Sequence, residues 1–163
     1  MADFRDAGDL ARIAELAASA DVVLENFKTG TLAKFGLDYA ALSAANQGLV
    51  YCSITGFGQT GPRAHEAGYD FVVQAMSGFM ALTGEPAGQP MKMGISISDL
   101  SCGLYSDIGI QAALAMRERT GRGQHVDMAL LDCSVGQLAS QATHFFTTGE
   151  NPPRMGNEHA QVS

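Results

Sequence analysis

Asp99 is the residue of this chain whose type and placement most plainly suit chemistry. It lies in Gly94 to Asp132, GISISDLSCGLYSDIGIQAALAMRERTGRGQHVDMALLD, where a β-like segment gives way to a long helix. A carboxylate at that mouth has two uses. It can accept hydrogen bonds from the free N–H groups of the first helical turn, as Ser and Asp do at caps. It can also act as a chemical group in a reaction. The residues alone favour the cap. Gly94 and Gly103, close by, would let a substrate approach the backbone, although close packing explains a glycine equally well.

Other chemistries find little support. The run Gly56 to Gly61, GFGQTG, satisfies GxGxxG after an expected strand, but Pro62 and the polar segment RAHEAG follow it. No apolar helix begins there to offer its N-terminus to a pyrophosphate. His65, His125, His144 and His159 are scattered, without an i, i+4 pair, so no metal site is expected. No GxSxG occurs, and no cysteine has a recognisable histidine partner. Arg117, Arg119 and Arg122 cluster at a helix end, where cations suit the carbonyl end of the dipole. Met76, Met80, Met91, Met93 and Met116 read as packing residues.

The elements around Asp99 follow from apolar periodicity and glycine placement. Leu100, Leu104, Ile108 and Met116 fall mainly at four-residue steps and predict one apolar helix face. Gly121 and Gly123 supply the stop and the turn, and His125 to Leu131 reads as a buried strand. Upstream, Leu10 to Ala18 predicts a helix and Val22 to Glu25 a strand. Thr31 to Phe35 predicts a short helix ending at Gly36, and Tyr39 to Ala45 another. Leu49 to Thr55 (LVYCSIT) predicts a buried strand, and Gly56 to Gly68 a loop. Tyr69 to Leu82 is expected to be a helix interrupted at Ser77-Gly78, with a polar turn over Glu85 to Pro90. Cys133 to Phe146 predicts a last helix before the irregular tail, Thr147 to Ser163. Helices alternating with short buried strands point to an α/β fold with a parallel sheet.

Bulk composition narrows the class. The chain has 163 residues, 46% hydrophobic and 17% charged, enough for one buried core without disorder. A formal net charge of −7 argues against nucleic-acid binding, which needs a basic footprint. The three cysteines, Cys52, Cys102 and Cys133, are widely spaced and form no CxxC pair, as in a reducing compartment. The start is polar and no apolar run approaches a membrane span. A cytoplasmic protein with no membrane association is expected.

The run SDLSCGLYSDIGIQAALAMRERTGRGQHVDMALLD resembles the signature region of the class III coenzyme A transferases, a family that includes the α-methylacyl-CoA racemases. DVVLENFKTGTLAKFGLDYAAL, LVYCSITGFGQTGP and GYDFVVQAMSGFMALTGEP are similar to the same family in the same order, from about Asp3 to the end of the chain. The resemblance implies an incomplete Rossmann-like parallel sheet with flanking helices, part of an interlocked homodimer. It implies that residues 1–147 are the central part of the large domain and 148–163 the start of a linker toward a second one. Family members are considerably longer. The expectation is a central fragment lacking the opening strand–helix unit and the second domain with its glycine-rich loop, inactive or nearly so by itself.

The resemblance also assigns roles. The aspartate matched by Asp99 is the transferase nucleophile. Its carboxylate attacks an acyl-CoA thioester, giving a mixed anhydride and CoA thiolate. The thiolate attacks the aspartyl carbonyl to give an aspartyl-CoA thioester, and an incoming acid reverses the steps. The partners implied are an acyl-CoA and a carboxylic acid. Coenzyme A enters as substrate thioester, with no further cofactor and no metal. Tyr69 and Asp70 match positions lining the active site. The racemases carry a histidine where Tyr69 stands, and a phenol with a pKa near ~10 is a poorer neutral-pH base than an imidazole near ~6.5. That favours transfer over racemisation. Asn26 and Phe27 match the Asn-Phe lining the CoA site, Lys34 a basic residue shortly beyond, and Arg5 a segment contacting the nucleotide end. A family lysine just before the tyrosine is absent, Ala67-Gly68 standing there. Besides the racemase, a non-catalytic binding or dimerisation domain on the same fold is the alternative.

Overall fold

The computed structural model describes residues 2–159. Three short strands, β1 (Val22–Glu25), β2 (Val50–Thr55) and β3 (His125–Ala129), form one parallel sheet in the order β1-β2-β3. Leu24 registers with Cys52, and Cys52 with Val126. The α/β class and the parallel sheet expected from the sequence are therefore present.

Each face of the sheet has its own core. Tyr51 turns to one side, where Ala17 of α1 (Ala7–Ser19), Leu42 of α2 (Tyr39–Ala45), Leu32, Leu37 and Leu49 close around it. The Tyr51 hydroxyl donates to the Leu37 carbonyl at 2.9 Å, which satisfies the one polar atom of this buried ring. On the other side Ile54 and Met128 pack with Val73 of α3 (Asp70–Ser77), Cys102 of α5 (Ile97–Thr120), and Leu130 and Cys133 of α6 (Leu130–Gly136). The central strand is shut off from solvent, with Val50 and Cys52 0% exposed.

Several boundaries follow local chemistry. Asp6 and Asp38 cap α1 and α2 by accepting from the N–H groups of Asp9 and Ala41. The short helix before Gly36 is a 3-10 turn, Leu32–Phe35, closed by Gly36 at φ 66°. The interruption expected at Ser77-Gly78 is real: Gly78, at φ 100°, separates α3 from α4 (Phe79–Leu82).

Other expectations give way to packing. The helix expected over Cys133 to Phe146 is two, α6 and α7 (Ser140–Thr148), because Gly136 ends the first and Ala139 takes φ 44° between them. The strand expected over His125 to Leu131 stops at Ala129, where α6 begins, and its His125 and Asp127 are exposed because β3 is an edge of the sheet. The apolar stripe of α5 faces outward: Leu100, Leu104 and Ile108 are 57%, 70% and 62% exposed. The buried face carries Ser98, Ser101, Cys102, Ser106 and Ala113 instead. Close approach explains it, since a Cβ on Gly109 would lie 3.0 Å from the Val126 side chain and larger residues would push α5 off the sheet. The buried hydroxyls are satisfied, Ser106 donating to the Cys102 carbonyl at 2.7 Å and Ser134 to Ser98 at 2.9 Å. Met76, Met91, Met93 and Met116, expected inside, are also exposed.

At its far end α5 is moored by Arg117, which pairs with Asp21 at 2.9 Å and donates to the Gly48 carbonyl at 3.2 Å. The tail folds back: Arg154 donates to the carbonyls of Ala81 and Gly88, and the Gly156 N–H donates to Gly84. Among the described residues no helix is long and apolar enough to cross a membrane.

Candidate active site

Parallel sheets gather ligands outside the carboxyl ends of their strands, and this one has a cavity there. About 590 Å³ is enclosed by the loop leaving β1 (Asn26 to Thr29), the end of β2 (Ile54 to Gly56), residues 66–70, and Asp99 and Gly103 of α5. The floor depends on a close backbone approach. Gly56 and Gly68 touch, and a Cβ on either would collide with the other's main chain. The GFGQTG run thus serves to turn the chain after β2 and bring residues 66–70 to the cavity, with Gly58 and Gly61 at φ 83° and 89°.

Asp99 sits in the first turn of α5 and is exposed at the cavity wall. Neither oxygen of its side chain has a hydrogen-bond partner among the described residues, so Asp99 does not cap the helix. Asp70 does. Its Oδ1 accepts from the Ser98 N–H at 2.8 Å and from the Asp99 N–H at 3.4 Å, while the nominal cap, Ser96, makes no side-chain cap bond. Burial beside the cavity pushes the Asp99 carboxyl above the ordinary carboxylate value, and the negative charge of Asp70 adds to the effect. A carboxylate raised in this way is more basic, hence a better nucleophile than a solvated one.

The segment before Asp99 is not a strand. Residues 91–96 are irregular: the Met91 N–H donates to the carbonyls of Met80 and Thr83, and a buried side chain holds the residues that follow. Gln74 of α3, 0% exposed, accepts from the Met93 N–H at 2.8 Å and donates to the Ile95 carbonyl at 3.3 Å. The same Nε2 donates to Asp70 Oδ2 at 2.6 Å. Asp70 and Gln74, one helical turn apart on α3, thus fix the entry to α5 from one side.

Tyr69 precedes α3 as its cap residue, 65% exposed, with its ring parallel to that of Phe71 at 6.5 Å. It lines the cavity with Asp70, Asp99, Asn26 and Phe27, so five of the seven residues singled out in the sequence share one wall. Lys34 and Arg5 do not line it. Lys34 is exposed on the 3-10 turn. Arg5 is held in a fork by Asp3, at 3.0 and 2.8 Å, and only its neighbour Phe4 reaches the site region by packing on Phe27 at 5.6 Å. The cation that does line the cavity is Lys28, which also borders an adjoining hollow of about 310 Å³. Its place directly after Asn26-Phe27 was the available signal. Gln74 gave none, since a glutamine inside an apolar helix stretch does not reveal what it bonds.

The chain is similar to known proteins along its whole length. The chain is 53% identical over all 163 residues to a succinate–glutarate CoA-transferase of Agrobacterium fabrum, of which it covers 41%. It is 44% identical over 162 residues, 99% of the chain, to an acetyl-CoA:oxalate CoA-transferase of Acetobacter aceti, covering 42% of that protein. Its fold superposes with a TM-score of 0.96 on a crystal structure of a CAIB/BAIF family protein from Brucella suis, 56% identical, covering 99% of this chain and 43% of that one. The chain therefore spans about two-fifths of the length of these relatives. The model of CoA-transferase family III matches residues 1–163, and the chain belongs to that family.

Proposed function

We propose that this protein transfers coenzyme A between carboxylic acids, with Asp99 as the nucleophile and Tyr69 and Asp70 beside it. The observation that carries the reading is the free Asp99 carboxylate on the wall of the strand-end cavity, its capping duty taken by Asp70. Attack of Asp99 on the thioester carbonyl forms a C–O bond and expels CoA thiolate, leaving a mixed anhydride. The thiolate then attacks the aspartyl carbonyl, forming the aspartyl-CoA thioester and releasing the first acid. The second acid runs the steps in reverse. Each intermediate keeps the acyl group activated, so no separate energy source is required. Position in the first turn of α5 places the attacking anion at the positive end of the helix dipole, which favours its charged form.

Relatives named for succinate, glutarate and oxalate support short dicarboxylic acids as the acids exchanged. Asn26 and Phe27 would flank the pantetheine arm, and Lys28 would meet a phosphate of the nucleotide end. Arg5 and Lys34 would contribute only if a bound nucleotide extends beyond the cavity. Tyr69 in place of an imidazole supports transfer over racemisation, because no histidine lines the cavity to move an α-proton at neutral pH. A homodimer in the cytoplasm is the proposed setting.

Hydroxylamine trapping tests the proposal. The full-length protein, incubated with succinyl-CoA and then hydroxylamine, should yield a hydroxamate at Asp99 and at no other carboxylate, and Asp99→Asn should yield none. Deuterium uptake at the α-carbon of a 2-methylacyl-CoA, with no acyl exchange, would instead identify a racemase. An unmodified Asp99 in a protein that still exchanges acyl groups would overturn the nucleophile.

A further inference from the structure

Among the described residues Gln74 is the largest polar side chain that the fold seals away completely. It lies 0% exposed on the inner face of α3, where Val73 beside it is apolar. Burial of an amide is costly unless every donor and acceptor is met. Gln74 meets them all at one place. Oε1 accepts from Met93 N–H at 2.8 Å, and Nε2 donates to Ile95 O at 3.3 Å and to Asp70 Oδ2 at 2.6 Å. Asp70 in turn holds the Ser98 and Asp99 N–H groups with its other oxygen. A hydrogen-bonded chain therefore runs from the irregular segment 93–95 through Gln74 and Asp70 to the main chain of Asp99.

We propose that Gln74 is a positioning residue for the reaction, orienting the Asp70 carboxylate so that it fixes the backbone from which Asp99 attacks. The inference rests on Asp99 being the nucleophile. Two features favour this role over simple packing. The bonded amide uses both of its ends, so it sets which Asp70 oxygen faces Ser98 and which faces α3. It also pins both Met93 and Ile95, a few residues before the nucleophile, in a segment with no strand partners of its own. Without Gln74, Asp70 Oδ2 loses its donor and the carboxylate is free to rotate away from the entry of α5. A misplacement of about 1 Å at a reacting group costs about 10²-fold in rate.

Three variants of the full-length protein test it, with acyl-CoA:carboxylate exchange as readout. Gln74→Leu, close in volume, should lower kcat by about 10²-fold while leaving KM for the CoA ester within about threefold, because Gln74 itself does not line the cavity. Gln74→Glu keeps the acceptor for Met93 but sets a second carboxyl against Asp70. It should therefore lower kcat at neutral pH at least as far as Gln74→Leu does. Asp70→Asn combined with Gln74→Glu reverses the polarity of the bond. The new amide at position 70 donates, the new carboxylate at position 74 accepts, and the amide oxygen still faces Ser98; the Ile95 carbonyl loses its side-chain donor but keeps its bond from the Ile97 N–H. This pair should recover kcat to within about tenfold of the parent at neutral pH, well above either single variant. A merely structural role predicts parallel losses of stability and activity with no polarity rescue. Gln74→Leu retaining kcat within about threefold, or a double variant no better than the singles, overturns the inference. Asp99→Asn run alongside separates the two ideas. If it remains active, the nucleophile assignment fails and this inference with it. If it is dead while Gln74→Leu is unaffected, only the role of Gln74 fails.

Discussion

Asp70→Ala removes two things at once, and their sum can be worked from the hydrogen bonds. The first is the cap of α5: the N–H groups of Ser98 and Asp99 lose their acceptor, and a lost side-chain cap costs about 1 kcal/mol, within a range of about 0.5–2. The second is the partner of a buried amide. Gln74 Nε2, bonded at 2.6 Å, keeps only the longer contact to Ile95 O at 3.3 Å, and stranding a buried donor costs about 1–3 kcal/mol. Together the substitution should destabilise by about 2–4 kcal/mol, lowering Tm by about 4–16 °C for a folding unit of this size. Asp70→Asn keeps an oxygen toward Ser98 and should lose only about 1–2 kcal/mol. The pH dependence has a definite sign. Asp99 is raised above its ordinary value of 3.8 in the fold by burial and by Asp70. Its contribution to stability is thus fullest below that ordinary value and is lost as pH rises through the raised one. Without the Asp70 charge, the loss on raising pH becomes smaller. Urea denaturation of the parent and both variants, followed by circular dichroism from acid to neutral pH, measures all of this. Equal losses for the Ala and Asn variants, or a loss under about 1 kcal/mol for Asp70→Ala, would refute the capping network.

Three further outcomes are expected. Tyr51→Phe leaves the Leu37 carbonyl without the hydroxyl that donates to it at 2.9 Å inside the first core, a loss of about 1–3 kcal/mol readable in the urea midpoint. Gly56→Ala drives a methyl group into the main chain of Gly68 and should cost more than about 4 kcal/mol, seen as loss of soluble folded protein, whereas Gly103→Ala, with open space around it, should fold normally. Lys28→Ala should raise KM for the CoA ester about tenfold with kcat little changed and should flatten its dependence on salt, which steady-state kinetics at two ionic strengths will show.

How much of this was legible in the residues differs from element to element. Val50 to Thr55 was readable as a buried strand because β-branched and aromatic residues crowd it, and it lies at the centre of the sheet. Gly36 and Gly78 marked helix ends because each takes a positive φ there. The period of α5 was readable too, but its orientation was not. Spacing says that Leu100, Leu104 and Ile108 share a face. It cannot say whether that face or the Ser-Cys-Ala-Gly face meets the sheet, and close approach to β2 and β3 selected the small residues.

The site divides in the same way. Sequence by itself determined the family motifs and the placing of a carboxylate at the start of a long helix. It left open whether that carboxylate caps the helix or is free. Only the tertiary structure decided that, by delivering Asp70 from another helix, 29 residues earlier in the chain, to hold the N–H groups that Asp99 would otherwise have met. It likewise gave the cavity Lys28 as its cation and left Arg5 tied to Asp3 outside it. The physical reason is common to both. Hydrogen-bond partners are chosen by proximity in space, and spacing along one element carries no information about a donor or acceptor brought in by another.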